Sequence, residues 1–279
     1  MGPFVRIFDA DIVEQLPAFT QPLIETHCHL DYLDAGDLVN ALSLAERVGI
    51  ERIITIAVSP DNLQAVLDIA SQHEPVWTTQ GIHPHEAVHY TDTIDATIRA
   101  NASQSKVLAI GEIGLDYHYD HSDRTAQIKA FEAQLTIAVD LNLPIVVHSR
   151  EADEDTAAIL SEYAPALKNK GVIHSFTSGL KLAEHCLDLG FHLGFNGICT
   201  FKNAANVRAA LELTPLDRIL YETDAPYLTP VPFRGKPNAP HFLGLVANTV
   251  AQVKGLDVEV CNEAVYRNSL NLFWNQKTS

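Results

Sequence analysis

Leu23-Ile24-Glu25-Thr26-His27-Cys28-His29-Leu30-Asp31 opens as a β-prone apolar run and ends in two histidines at i and i+2. Strand side chains alternate between faces, so His27 and His29 share one face and Cys28 takes the other. Two imidazoles side by side at a strand end are half of a divalent-metal site. The pattern recurs downstream, with short β-branched or apolar runs at 52–57, 76–80, 107–110, 144–148, 172–174, 191–195 and 219–222, each passing into a loop with Gly, Pro, Asp or His. Helical patterns at 36–48, 61–71, 124–141, 179–189 and 204–213 fall between them. With 23–27 the strands number about eight, as in a closed (β/α)8 TIM barrel. A doubly wound open sheet is the alternative, but no GxGxxG loop follows the first strand. The expectation is an α/β TIM barrel whose chemistry lies at the strand ends.

The chain has 279 residues, of which 47% are hydrophobic and 19% charged. That length and apolar content suit one barrel of roughly 250 residues, and no linker or low-complexity segment divides it. Residues 23–279 are therefore expected to form a single domain. Residues 1–22 read as an N-terminal extension, with Phe4, Ile7, Phe8, Ile12, Val13 and Leu16 at partly helical spacing. They are expected to pack over the barrel floor, with a partner-binding segment as the alternative. Cys28, Cys186, Cys199 and Cys261 are scattered without CxxC spacing, which implies reduced thiols. No apolar run reaches the ~20 residues of a membrane span, and the N-terminus lacks signal-peptide architecture, so a cytoplasmic protein with no membrane and no obligate protein partner is expected. The net charge of −16 opposes a broad electrostatic grip on nucleic acid, so a phosphate-bearing substrate would have to be met locally.

Candidate ligands stand at five strand ends: His27 and His29, Glu112 in Gly111-Glu112-Ile113-Gly114-Leu115-Asp116, His148 in Val147-His148-Ser149-Arg150, His174, and Asp224 in Glu222-Thr223-Asp224. These residue types suit Zn²⁺, Mn²⁺ or other hydrolytic metals. Singly, each has a structural explanation as a core histidine, helix cap or salt-bridge partner. Their shared placement favours a site.

The ordered blocks Thr26–Asp31, Gly81-Ile82-His83-Pro84-His85, Gly111–Tyr117, His148-Ser149-Arg150, His174-Ser175-Phe176-Thr177 with Gly179, Glu222-Thr223-Asp224-Ala225-Pro226-Tyr227-Leu228 and Arg234-Gly235-Lys236-Pro237-Asn238 resemble the TatD family of metal-dependent deoxyribonucleases in the amidohydrolase superfamily. The likeness runs from about Leu23 to the C-terminus and implies a TIM barrel. It further implies one metal held by His27, His29 and Asp224, with Glu112 bridging to a second metal completed by His148 and His174. Two cations sharing a water can lower its pKa and clamp phosphodiester oxygens, and Asp224 would orient or deprotonate that water. The resemblance also associates His83 with catalysis, as a proton donor or phosphate contact. A loop histidine ordering the Pro84 turn is the alternative.

Arg150 offers a planar fork for phosphate, with a bridge to Glu151 or Asp153 as the alternative. Lys202 and Arg234 are further phosphate candidates, or solvated rim charges. The implied cofactors are two divalent ions, Mg²⁺, Mn²⁺ or Zn²⁺. The implied activity is 3′-to-5′ exodeoxyribonuclease cleavage at single-stranded DNA ends. An ester or amide hydrolase, such as an aminoacyl-tRNA deacylase, and a non-enzymatic scaffold with structural metals stay open as alternatives. Glu25 departs from the Asp common in the family, which bears on how the neighbouring imidazoles are oriented.

Overall fold

The computed structural model describes residue 8 and residues 10–275, so Phe4 and Ile7 lie outside the described residues. Its strands are β1 (Leu23–Cys28), β2 (Ile50–Thr55), β3 (Val76–Gln80), β4 (Val107–Asp116), β5 (Ile145–Arg150), β6 (Gly171–Ile173), β7 (His192–Phe195) and β8 (Ile219–Tyr221). They pair in sequence order, every pair parallel. The seam between β8 and β1 is drawn together by Asp224 N donating to His27 O at 2.8 Å and the Thr26 hydroxyl donating to Tyr221 O at 2.8 Å. Between and after the strands lie α1 (Ala35–Arg47), α2 (Leu63–Gln72), α3 (Asp92–Ala102), α4 (Arg124–Leu141), α5 (Asp153–Tyr163), α6 (Leu180–Asp188), α7 (Ala205–Leu213), α8 (Leu243–Lys254) and α9 (Val258–Phe273). The expected TIM barrel is the fold.

Local chemistry sets several helix ends. The Asp34 carboxylate accepts from Gly36 N and Asp37 N to start α1, and Asp123 accepts from Ala126 N to start α4. Asn142 and Gly255 end α4 and α8 in the left-handed region, at φ 61° and 64°. Four helices, α3, α5, α8 and α9, were not among the sequence-derived ones. For α5 the reason is visible: its first turn is Asp153-Glu154-Asp155, which reads as a solvated loop although acids suit a helix N-terminus.

Strand alternation sorts the core into two layers. Val107, Ile145, Val147, Ile173, Ile219 and Tyr221 join the large cluster beneath the helices. Ile54, Leu108, Val146, Val172 and Leu220 form a second cluster, the barrel interior. Leu272 and Phe273 from the end of α9 enter this second cluster, with Trp77 and Trp274 packed against it. The Arg52 guanidinium stands 5.0 Å from the Trp274 ring centre. Because Arg52 and Trp77 lie at strand starts, the end of α9 closes the floor.

The N-terminal extension lies elsewhere than expected. Ile12 and Leu16 are buried and the 3-10 turn Ala10–Gln15 touches α1. Pro17 and Phe19 approach Gly244 of α8, and Thr20 N and Gln21 N donate to the Glu259 carboxylate at the start of α9. The described residues of the extension therefore pack along the outer wall, where helices bury Ile12 and Leu16, and the floor is left to α9.

Candidate metal centre

Period-two alternation carries the interior face upward into the site. Val146 and His148 share a face of β5, Val172 and His174 share one along β6, and Leu220 and Glu222 share one along β8. The apolar interior thus becomes a polar cluster at the strand C-terminal ends. β4 runs on to Asp116, well past the expected end at Ile110, because the glycines that read as a turn serve close strand approach instead. A Cβ on Gly111 would lie 2.6 Å from Val146 Cβ, and one on Gly114, at φ 139°, would collide with His148 O. This continuation delivers Glu112 and Asp116 into the site.

Glu112 is the centre. Its Oε2 faces His27 Nε2 at 3.3 Å, while its Oε1 faces His148 Nδ1 at 3.0 Å, His174 Nε2 at 3.1 Å and His83 Nε2 at 3.5 Å. Asp224 Oδ1 faces His29 Nε2 at 3.4 Å and His27 Nε2 at 3.7 Å. The His27 and His174 rings stack at 3.7 Å, 8° from parallel. Asp224 reaches its place with φ 58°, an uncommon conformation for a non-glycine residue and of a kind that clusters at functional sites.

The donor set fits divalent ions. His27 Nε2 is buried and makes no hydrogen bond, although Glu112 and Asp224 oxygens face it at 3.3 and 3.7 Å. A lone pair aimed between two carboxylates beyond good hydrogen-bonding distance suits an interposed cation. His27, His29 and Asp224 form one group of mutually close donor atoms, and His83, Glu112 and His148 another. The second group bears on His83. Its Nδ1 accepts from His85 N at 3.1 Å, capping the turn Pro84–His89, so in the neutral ring Nε2 carries the hydrogen and has no lone pair for an ion. The ring orders the Pro84 turn through Nδ1, and its Nε2 faces Glu112 Oε1 at 3.5 Å.

Burial and charge oppose each other throughout. Burial alone would raise the Glu112 carboxyl, but the charge of His174 and hydrogen bonds from His148 and His174 hold it well below the usual range. Burial likewise opposes ionisation of Asp224, and the hydrogen-bonding and charge of His29, with His174 and His27, bring its pKa below the ordinary value. His174 and His148 are raised despite burial, by Glu112 and Glu222 for the first and by Asp116 and Glu112 for the second. Burial drives His83 well below its ordinary value, with His148 acting the same way, which leaves it neutral.

Two carboxylates outside the expected ligand set stand behind the imidazoles. Asp116 Oδ2 is 3.0 Å from His148 Nε2 and 3.0 Å from His85 Nε2. Glu222 Oε1 is 3.4 Å from His174 Nδ1 and accepts from Ser175 N at 2.5 Å. Both residues were quoted in motifs but given no role, since sequence order does not show which ring nitrogen faces which carboxylate. Among the described residues the Glu25 carboxylate accepts from backbone rather than from an imidazole. Its Oε1 accepts from His27 N and Thr223 N at 2.9 and 3.0 Å, tying β1 to the segment after β8, and burial pushes its carboxyl up to about 8.

The cluster floors a cavity of about 900 Å³. Arg150 lines it, together with an adjoining cavity of about 700 Å³, and its guanidinium lies 4.8 Å from the Tyr119 ring centre. The suggested bridges do not form: Glu151 pairs with His118, and Asp153 accepts from the Ser178 hydroxyl. Lys202 and Arg234 are exposed and line neither cavity, Arg234 lying instead over Phe201 at 4.1 Å.

The family model described as TatD related DNase matches residues 24–274. The chain belongs to the TatD family. TatD-family relatives include a protein of Bacillus subtilis (strain 168) described as an uncharacterized metal-dependent hydrolase, YabD, 35% identical over 90% of this chain and 98% of that protein. The 3′-5′ ssDNA/RNA exonuclease TatD of Pantoea ananatis is 36% identical over 86% of this chain and 94% of that protein. The crystal structure of YJJV, a TatD homologue from Escherichia coli K12, superposes with a TM-score of 0.85 at 30% identity, covering 90% of this chain and 97% of that one. The chain is thus a metal-dependent hydrolase of the TatD family. Among the described residues no helix is long and apolar enough to cross a membrane.

Proposed function

We propose that the chain is a two-metal phosphodiesterase that removes nucleotides from single-stranded DNA ends in the 3′-to-5′ direction. The observation that carries the reading is Glu112, one carboxylate whose two oxygens face two separate donor groups, Oε2 toward His27 and Oε1 toward His148 and His174. His27, His29 and Asp224 would hold one ion, His148 and His174 the other, with Glu112 shared. Bound divalent ions would supply positive charge to the phosphodiester oxygens and acidify an attacking water. Asp224, whose Oδ1 faces His27 and His29, would accept the proton of that water. His83 Nε2–H, keeping its hydrogen, donates a hydrogen bond to the departing or non-bridging oxygen. Arg150, free of ion pairs among the described residues, meets a neighbouring phosphate with its fork. Lys202 and Arg234 have no part in this reading, because they stand outside the cavity lining.

The polarity and the single-stranded preference are supported by the similarity to the Pantoea ananatis exonuclease. The open cavity above the cluster speaks against purely structural metals, whose sites are closed. The free, buried cysteines are in keeping with the cytoplasm as the compartment. The test uses 3′- and 5′-labelled single-stranded DNA with wild type, Glu112→Ala and Asp224→Ala, first with chelator and then with Mg²⁺, Mn²⁺ or Zn²⁺. Metal-restored shortening from the 3′ end by wild type alone supports the reading. No shortening with any metal overturns it and directs attention to aminoacyl esters and amides.

A further inference from the structure

Three tyrosines, Tyr32, Tyr119 and Tyr227, are the aromatic members of the exposed large hydrophobic residues among those described, at 48%, 50% and 55% exposure, and all three line the metal cavity. Aromatic rings left open to water around a polar cluster mark a binding surface. Two of them are fixed beside the first donor group. The Tyr32 ring lies 15° from parallel to His29, with centroids 5.2 Å apart. Tyr227 stands nearly perpendicular to Tyr32, at 78° and 6.2 Å, so that the two phenols make a corner. The backbone of Tyr227 is held on both sides: its N donates to Asp224 O, and its O accepts from the Asn238 amide. A rigid aromatic corner binds a planar ring without first having to be ordered.

Charge narrows the choice of ring. A chain at net −16 gains little from releasing counterions along a phosphate backbone, so affinity for a strand beyond the local phosphate contacts of the site has to come from its bases. We propose that Tyr32 and Tyr227 form a notch that takes the unpaired nucleobase adjoining the scissile phosphodiester, stacking it on one phenol and abutting the other. The proposal rests on the nucleic-acid reading above and deepens it. The notch selects single strands, because a base inside a duplex must first unstack and unpair to enter.

The test measures binding by fluorescence anisotropy, with metal-loaded protein and short single strands whose terminal linkage is a non-cleavable methylenephosphonate. One strand carries a base at the terminal nucleotide and the other an abasic tetrahydrofuran there. Wild type is expected to bind the base-bearing strand about tenfold more tightly. The Tyr32→Ala/Tyr227→Ala variant is expected to bind both strands alike, and Tyr32→Phe/Tyr227→Phe to keep the preference. Equal affinities in wild type, no binding of either strand, or an undiminished preference in the alanine variant each overturn the notch. The two readings separate: cleavage of ordinary strands without a base preference removes the notch and leaves the nuclease, whereas a base preference without cleavage keeps the notch and removes the nuclease.

Discussion

Asp116 Oδ2 stands 3.0 Å from His148 Nε2 and thereby decides which nitrogen of that ring is offered to the metal cluster. Both ring nitrogens face a carboxylate at 3.0 Å, and a carboxylate only accepts; an ion beside Glu112 would displace the hydrogen from Nδ1, while Asp116 keeps the one on Nε2 and so leaves Nδ1 as the nitrogen offered to the metal. Asp116→Asn is therefore expected to weaken one of the two metal sites by about 10- to 100-fold and to leave the other unchanged. Calorimetric titration of chelator-stripped protein separates the two affinities, and two unaltered constants would remove Asp116 from the account.

His83 differs from the ligands in having its Nδ1 lone pair occupied by His85 N. His83→Ala should lower kcat by about 10²- to 10³-fold while both ions remain bound. Elemental analysis of the purified variant checks the second half, and loss of an ion would make His83 a ligand.

At the opposite end of β7, burial, with the Arg218 charge acting the same way, lowers His192 from 6.5 to about 4. Above pH 6.5 neither the folded nor the unfolded chain protonates this ring, and below it the unfolded chain takes up a proton that the folded chain refuses until about 4. Stability from this residue is thus complete above 6.5 and declines as pH falls to about 4, by on the order of 3 kcal/mol. Urea denaturation across that window should show a shallower decline for His192→Gln than for wild type, and parallel curves would contradict the assignment.

Phe273 is 1% exposed and reaches from α9 into the barrel interior. Phe273→Ala should cost about 3–5 kcal/mol in chemical denaturation. Metal affinity should stay at the wild-type level, because the substitution lies at the floor and the site lies at the other end of the strands.

Much of this was legible in the order of residues, for reasons that can be named. The barrel showed itself because parallel strands buried on both faces are short apolar runs, and β3 spans the residues expected of it, Val76–Gln80. The ligand candidates were legible because each sits where such a run stops. Less was visible where one residue type serves two purposes. Gly111 and Gly114 resemble a turn yet lie inside β4, since only contact with Val146 and His148 across the sheet shows why a side chain is excluded. Asp116 and Glu222 stood in plain view in their motifs, but which imidazole nitrogen each faces is a property of the folded rings. The apolar N-terminal extension signalled that it would pack, and its spacing did not distinguish the wall from the floor.

The central claim is that two divalent ions share Glu112, and the most direct measurement is anomalous diffraction from crystals of the Mn²⁺-loaded protein. The account predicts two peaks roughly 3.5 to 4 Å apart, one among His27, His29 and Asp224 and the other beside His148 and His174, with Glu112 between them. A single peak, or a peak seated among His27, His174 and Glu222, the other close group of donors, would contradict it.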